Sequence, residues 1–170
     1  DLTELFRLVT LDLPEWFVFL QKWGGTLFIL LSGICATLGH RSVRRGLIVF
    51  ASGMLISLVT YGMYKFGFTD IGIIIYFGVL HCLGTCMLLW PLFKKLPWWA
   101  LLILGGSIAA FGLWIMGARS GIPAPDHNWL LPLGFLKPGT VTSDYFPLLP
   151  YLGFFLLGGF LGKTLYRKQE

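Results

Sequence analysis

The sequence predicts an all-α protein, a polytopic bundle of five transmembrane helices. Of the 170 residues, 56% are hydrophobic and only 12% are charged, whereas a soluble domain carries about 25% charged residues. The hydrophobic residues form five long blocks. A helix needs about 20 apolar residues to cross a bilayer. The blocks lack the alternation with a period of two that a membrane β-barrel requires. This composition excludes intrinsic disorder, a disulfide scaffold and a soluble α/β enzyme.

The elements are predicted in order along the chain. Leucines recur at helical spacing between Leu2 and Leu13, which predicts an amphipathic helix at the membrane interface. The five spans then cover about residues 16–39, 46–64, 71–90, 97–117 and 145–166. The connection from Ala118 to Ser143 carries four prolines and therefore forms a loop, which we expect to lie on the outer mouth of the bundle. We expect residues 1–170 to form a single integral-membrane domain.

The basic residues predict the orientation of the bundle in the membrane. Eight of them fall on one side, in the connection after the first span, the connection after the third and the carboxyl-terminal tail, and five fall on the other. Because lysine and arginine are enriched on the cytoplasmic side, the observed amino end is predicted outside and the carboxyl end inside. An outside amino end without a signal peptide also leads us to expect a further helix before residue 1.

His81 is the most informative single residue. It falls near the middle of the third predicted span, where an ionisable side chain is costly and must face the bundle interior or a wet cavity. A role in chemistry is one interpretation. The alternative is a neutral histidine that hydrogen-bonds a neighbouring helix.

Asp144 comes directly before the fifth predicted span. An acidic residue at that position suits the N-cap of the helix that follows. The functional alternative is an acid at the outer mouth of the bundle that orients a histidine or binds an amine or hydroxyl.

Basic residues on the predicted cytoplasmic side form a second candidate site. Arginine presents a planar fork of donors to phosphate, so these residues could together hold a phosphorylated ligand. The alternative is that they serve topology alone. The candidates are Arg41, Arg44, Arg45 and Lys94.

Other classes of site find little support. Cys35, Cys82 and Cys86 all fall within apolar stretches, which is typical of small buried side chains. Cys82 and Cys86 share a helix face, but His81 lies about 100° away from Cys82 around the helix, so we expect no metal. We expect no nucleic acid either, because there is no basic groove or aromatic-basic repeat. Motifs for nucleotide hydrolysis, dinucleotide redox, zincin and α/β-hydrolase chemistry are absent.

Four segments carry a family resemblance. They are LFILLSG at 27–33, RRGL at 44–47, FGVLHCLG at 77–84 and DYFPLLPYLG at 144–153. In this order they resemble the bacterial branch of the heparan-alpha-glucosaminide N-acetyltransferase catalytic-domain family, within the wider transmembrane acyltransferases. The resemblance covers about residues 23–162.

The resemblance implies a bundle that takes an acetyl group from cytosolic acetyl-CoA and passes it to a glycan or other envelope acceptor across a bacterial inner membrane. It also implies a preceding helix. The histidine thought to be catalytic in the family lies between its first two spans, and the corresponding part of this chain from Asp1 has none. That histidine either precedes residue 1 or is not shared.

The predicted function is therefore that of an integral-membrane acyltransferase. His81 would act as a general base or transient acyl acceptor, Asp144 would orient it or the acceptor, and the basic residues would hold the phosphates of the acyl-CoA. The alternative is a small transporter, or a structural subunit of a membrane complex, in which His81 lines a proton or substrate path. The expected partners are the bilayer, acyl-CoA and the acceptor, and homo-oligomerisation stays open.

Overall fold

The computed structural model describes residues 15–68, 74–117, 128–135 and 144–166. In these ranges the chain is helical, with no strand beyond an isolated bridge between Phe77 and Tyr145. The predicted all-α class is confirmed. The helices are α1 (Glu15–Leu38), α2 (Ser42–Lys65), α3 (Val79–Phe93), α4 (Trp98–Gly117), a 3₁₀ helix (Asn128–Leu133) and α5 (Leu148–Leu165).

The helices have the lengths and compositions of an integral membrane protein. α2, α4 and α5 are each long and apolar enough to cross a membrane. Trp23–Leu38 within α1, and the whole of α3, are shorter apolar helices. Each of the five corresponds to one of the five blocks that the sequence predicts.

α5 lies at the centre of the bundle and packs along α1 on one side and α4 on the other. Gly33 and Gly158 allow the α1 and α5 backbones to touch, since a Cβ added at Gly33 would lie 3.1 Å from the Gly158 Cα. Small residues serve this purpose in membrane helices, where backbones must approach closely. The fully buried side chains include Trp90 of α3 and Phe155 of α5, whose rings meet edge to face.

α2 packs mainly on α3, and most of its other side chains are exposed. Its buried residues are Gly46 and Gly53, seven positions apart and therefore on one face. A Cβ at Gly46 would lie 2.9 Å from the Met87 Cβ, and one at Gly53 would lie 3.0 Å from Nδ1 of His81. The two glycines therefore bring the α2 backbone directly against α3 and its histidine.

Hydrogen bonds fix which connections share an end of the bundle. The Lys163 ammonium near the end of α5 donates to the carbonyl oxygens of Lys94 (2.7 Å) and Leu96 (2.6 Å), between α3 and α4. At the opposite end, the Tyr145 hydroxyl donates to the Leu131 carbonyl in the 3₁₀ helix (2.7 Å). The basic start of α2 lies at the Lys163 end, because α2 runs antiparallel to α3. Which end faces the cytoplasm stays a prediction.

The third predicted span is wrong at its start. Residues 74–78 are not helical and α3 begins at Val79, so His81 is in the first turn of its helix rather than the middle. The backbone of this segment is bonded elsewhere: the Ser57 hydroxyl donates to the Ile75 carbonyl (2.5 Å), and the Phe146 N–H donates to the Phe77 carbonyl (3.1 Å). Those bonds replace the helical ones.

The fifth span also begins later than predicted. The pairing with Phe77 and the extended conformation of Pro147 delay α5 to Leu148. The predicted interfacial segment from Leu2 to Leu13 lies outside the described residues, as does most of the 118–143 connection.

Candidate functional site

His81, in the first turn of α3, is enclosed against α2. Only 3% of its surface is exposed, which satisfies the requirement that an ionisable side chain in an apolar block turn inward. The Phe50 ring approaches its imidazole edge-on with a centroid distance of 5.6 Å, and the Phe77 ring lies at 5.5 Å. Because Gly53 has no side chain, the imidazole can pack directly against the backbone of α2.

The two ring nitrogens of His81 are in different situations. The Gly78 N–H donates to Nδ1 at 3.4 Å. Nε2 is buried and has no hydrogen-bond partner among the residues that the structure describes. Because an unsatisfied buried polar atom costs about 1–3 kcal/mol, its presence in a folded protein calls for an explanation, of which a bound ligand is one.

Asp144 caps α3 rather than α5. Its Oδ2 accepts a hydrogen bond from the N–H of Val79, the first residue of α3, at 3.0 Å and across 65 positions of sequence. The N-cap position of α5 belongs to Pro147, so the interpretation of Asp144 as the cap of its own helix is wrong. Its carboxylate instead lies at the amino end of α3, where the helix dipole favours negative charge.

His81 and Asp144 line one cavity of about 180 Å³, which we call the histidine cavity. Its other walls are mostly apolar and come from α2 and from the segment that leads into α3. Gly78 belongs to them, and a Cβ there would collide with the Asp144 carboxylate. The remaining lining residues are Gly53, Ile56, Ile75, Val79 and Leu80.

A second cavity of about 410 Å³ lies at the start of α2, and we call it the arginine cavity. His40, Arg41, Arg44, Arg45 and Ile48 line it. The first turn of α2 contains no acidic residue, and its free N–H groups add to the positive potential of the guanidinium groups. The cavity therefore suits an anion.

The arginine cavity contains three of the four predicted basic residues. Lys94 is exposed and is not among the residues that line it; its carbonyl instead accepts a hydrogen bond from Lys163. The predicted basic residues do not include His40, and its position directly before Arg41 is the one signal in the sequence that points to it. The structure thus brings His81 and Asp144 to one cavity and the three arginines to another.

α2 connects the two cavities. Arg45 and Gly53 are eight residues apart, which corresponds to about 12 Å along a helix. Arg45, Val49, Ser52 and Ile56 are spaced by four, three and four residues, so they share one face of α2. This 45–56 stripe begins at the arginine cavity and ends at the histidine cavity.

The cysteines do not join either cavity. Cys82 and Cys86 are buried in α3 and Cys35 is exposed on α1. The Cys82 thiol points to the Pro147 carbonyl at 3.9 Å. Within the described ranges, no group of three or more His, Cys, Asp or Glu side chains is placed to hold a metal ion.

The comparisons with known proteins agree with the motifs of the sequence. The model of one family, heparan-alpha-glucosaminide N-acetyltransferase, catalytic, matches residues 2–170. No curated protein and no solved structure matches the chain. Since the family match extends over nearly the whole sequence, the chain belongs to the heparan-alpha-glucosaminide N-acetyltransferase catalytic family.

Proposed function

We propose that the protein is an integral-membrane acyltransferase that takes an acetyl group from cytosolic acetyl-CoA and transfers it to an amine or hydroxyl of a glycan or other envelope acceptor on the far side of the membrane. The observation that carries the proposal is the pair of cavities on α2, one cationic and one holding a buried histidine. Membership of an acetyltransferase family supports the same class of reaction and favours it over a transporter.

The arginine cavity is the proposed site for the phosphates of acetyl-CoA. Coenzyme A carries a diphosphate and a ribose phosphate, and three guanidinium groups offer them several forked donors. At about 410 Å³, the cavity falls within the usual range of small-molecule pockets, about 300–1,000 Å³. Lys94, at the same end of the bundle, would add long-range attraction without direct contact.

The 45–56 stripe is the proposed path of the pantetheine arm. That arm is a flexible chain that separates the thioester from the phosphates, and it would follow α2 from Arg45 to Ile56. Its length would bring the thioester to the histidine cavity. There the nitrogen or oxygen of the acceptor would attack the thioester carbonyl, the C–S bond would break, and the acceptor's proton would pass to the departing thiolate.

The asymmetry of basic residues supports the direction of transfer. The arginine cavity lies at the end of the bundle that carries Lys163, which the distribution of charge predicts to be cytoplasmic. The donor would thus enter from the cytoplasm of a bacterial cell. Asp144 would hold the first turn of α3, and with it His81, in place at the opposite end.

Acetyl transfer in proteoliposomes tests the proposal. Labelled acetyl-CoA is enclosed and glucosamine is supplied outside as the acceptor probe. Ser52→Trp should raise the KM for acetyl-CoA by placing an indole ring across the exposed 45–56 stripe, whereas Leu58→Trp, on a different exposed face of α2, should behave like the wild type. Equal kinetics of the two variants would contradict the path, and wild-type protein that neither binds nor consumes acetyl-CoA would contradict the function.

A further inference from the structure

We propose that His81 acts as a hydrogen-bond donor through Nε2, and that it binds the neutral carbonyl oxygen of an acyl group in the histidine cavity. This differs from the two roles that the sequence predicted for His81, general base or transient acyl acceptor. The identity of the ligand rests on the proposed function. The donor role itself rests only on the surroundings of the imidazole.

The hydrogen bond from Gly78 determines which nitrogen carries the proton. A neutral imidazole has one N–H donor and one acceptor nitrogen. Since a backbone N–H can only donate, Nδ1 must be the acceptor and the ring proton must reside on Nε2. A base that acts through Nε2 needs the opposite tautomer, which would turn two N–H groups towards each other at Gly78.

The environment also disfavours the doubly protonated ring. A proton on Nδ1 would again point at the Gly78 N–H. The imidazole is also enclosed by Phe50, Phe77 and Gly53. Burial of a charge among such groups is costly. Asp144 is the acidic residue that shares the cavity, and its Oδ2 already accepts the Val79 N–H.

The unsatisfied Nε2–H indicates the chemistry of the ligand. It needs an acceptor oxygen, and none of the described residues supplies one. Because Nε2 has almost no accessible surface, a ligand in the histidine cavity would reach it only after a neighbouring side chain shifts. The Asp144 carboxylate in the same cavity disfavours an anion, while Ile56, Ile75 and Leu80 offer apolar contact. A small apolar group with a neutral carbonyl, such as an acetyl thioester, satisfies both requirements. Trp90 Nε1 is also buried without a partner among the described residues, but Trp90 lines neither cavity.

The donor role would assist transfer by stabilising the carbonyl oxygen as negative charge develops on it. A donor that is already oriented and shielded from water is effective in this way, and removal of one such donor lowers kcat by about 10²–10³. His81 would therefore touch the reacting group without removing a proton from the acceptor.

Nitrogen-15 NMR of protein labelled at histidine tests the tautomer directly. The chain has three histidines, and the His81→Gln spectrum identifies the His81 signals by their disappearance. The expected result near neutral pH is a protonated Nε2 and an unprotonated Nδ1. The opposite tautomer, or a doubly protonated ring, would overturn the proposal whether or not the protein is an acyltransferase.

Kinetics of two variants test the role in transfer. The amide of glutamine can donate a hydrogen bond where Nε2 does, so His81→Gln should keep kcat within tenfold and leave the pH profile unchanged. His81→Leu has no donor and its kcat should fall by about 10²–10³-fold. A general base predicts that kcat falls by about 10²–10⁴-fold in both variants, and that result would overturn the donor role, as would two fully active variants. Wild-type protein with the expected tautomer but no acetyl transfer would overturn only the identity of the ligand.

Discussion

At the scale of single residues, Asp144 connects two distant parts of the chain. Its carboxylate accepts the first N–H of α3 from a position just before α5. Such a bond satisfies one of the N–H groups that every helix leaves unpaired at its start. It also holds the turn that carries His81, so its removal should affect both stability and the site.

We predict that Asp144→Ala lowers the free energy of unfolding by about 0.5–2 kcal/mol, as for the removal of an N-cap. Asp144→Asn should be destabilised less, because its amide oxygen can still accept the Val79 N–H. Thermal unfolding of both variants in detergent measures the difference. Two variants as stable as the wild type would show that the cap contributes nothing.

The sequence singles out His81 and Asp144 as candidates but does not indicate which residues they contact. His81 stands out because an ionisable side chain is rare within an apolar block, and Asp144 stands out as an acid directly before one. The hydrogen bond between Asp144 and Val79 could not be predicted, because the two residues are 65 positions apart and local patterns do not encode such pairs. His40 could not be predicted from a pattern either, because a histidine beside a charged loop has no distinctive spacing.

At the scale of elements, the packing of α2 on α3 depends on glycine. Gly53 has the His81 ring within 3.2 Å of the position of an added Cβ, so a methyl group there must displace the imidazole or the helix. Gly62 lies on the same helix, and an added Cβ would meet no atom within 4 Å. Gly62 can therefore serve as the control for a substitution at Gly53.

We predict that Gly53→Ala destabilises the protein by about 1–3 kcal/mol, the usual cost of overpacking, and lowers the rate of transfer. Gly62→Ala should leave activity unchanged and match or exceed wild-type stability, because alanine favours helix by about 0.8–1 kcal/mol over glycine. Unfolding and transfer assays on the pair provide the comparison. Equal behaviour of the two variants would contradict the close packing of α2 on His81.

The positions of helices are predicted correctly where apolar composition alone determines where a helix begins and ends. The α2 and α4 blocks, with long apolar runs between basic or proline-containing connections, were placed within a few residues of their helices. Residues 74–78 are equally apolar but not helical, because their backbone bonds to Ser57 and Phe146. Apolar composition does not distinguish a helix from an extended segment that pairs with remote residues.

At the scale of the whole molecule, the arrangement of charge implies a direction across the membrane. Lys95 is exposed at the end of the bundle that carries Lys163, and Phe66 is 79% exposed at the far end of α2. If the Lys163 end is cytoplasmic, these two positions should face opposite compartments.

We predict that an impermeant maleimide labels Phe66→Cys in intact cells and labels Lys95→Cys only after permeabilisation. Both substitutions are made in a Cys35→Ser background, because Cys35 is the exposed cysteine among the three. Labelling of both positions from the same side would contradict the topology, and labelling in the reverse order would contradict the cytoplasmic location of the arginine cavity.

The central claim, that the arginine cavity binds the donor, is tested most directly by calorimetric titration of acetyl-CoA into the purified protein. Arg44→Ala with Arg45→Ala should weaken binding by about 1.5–3 kcal/mol for each hydrogen bond to phosphate that the substitutions remove, which is about a tenfold to hundredfold change in Kd per bond. Lys65→Ala removes a basic residue from the opposite end of the same helix and should leave the Kd unchanged. A folded double variant that binds acetyl-CoA as tightly as the wild type would contradict the account.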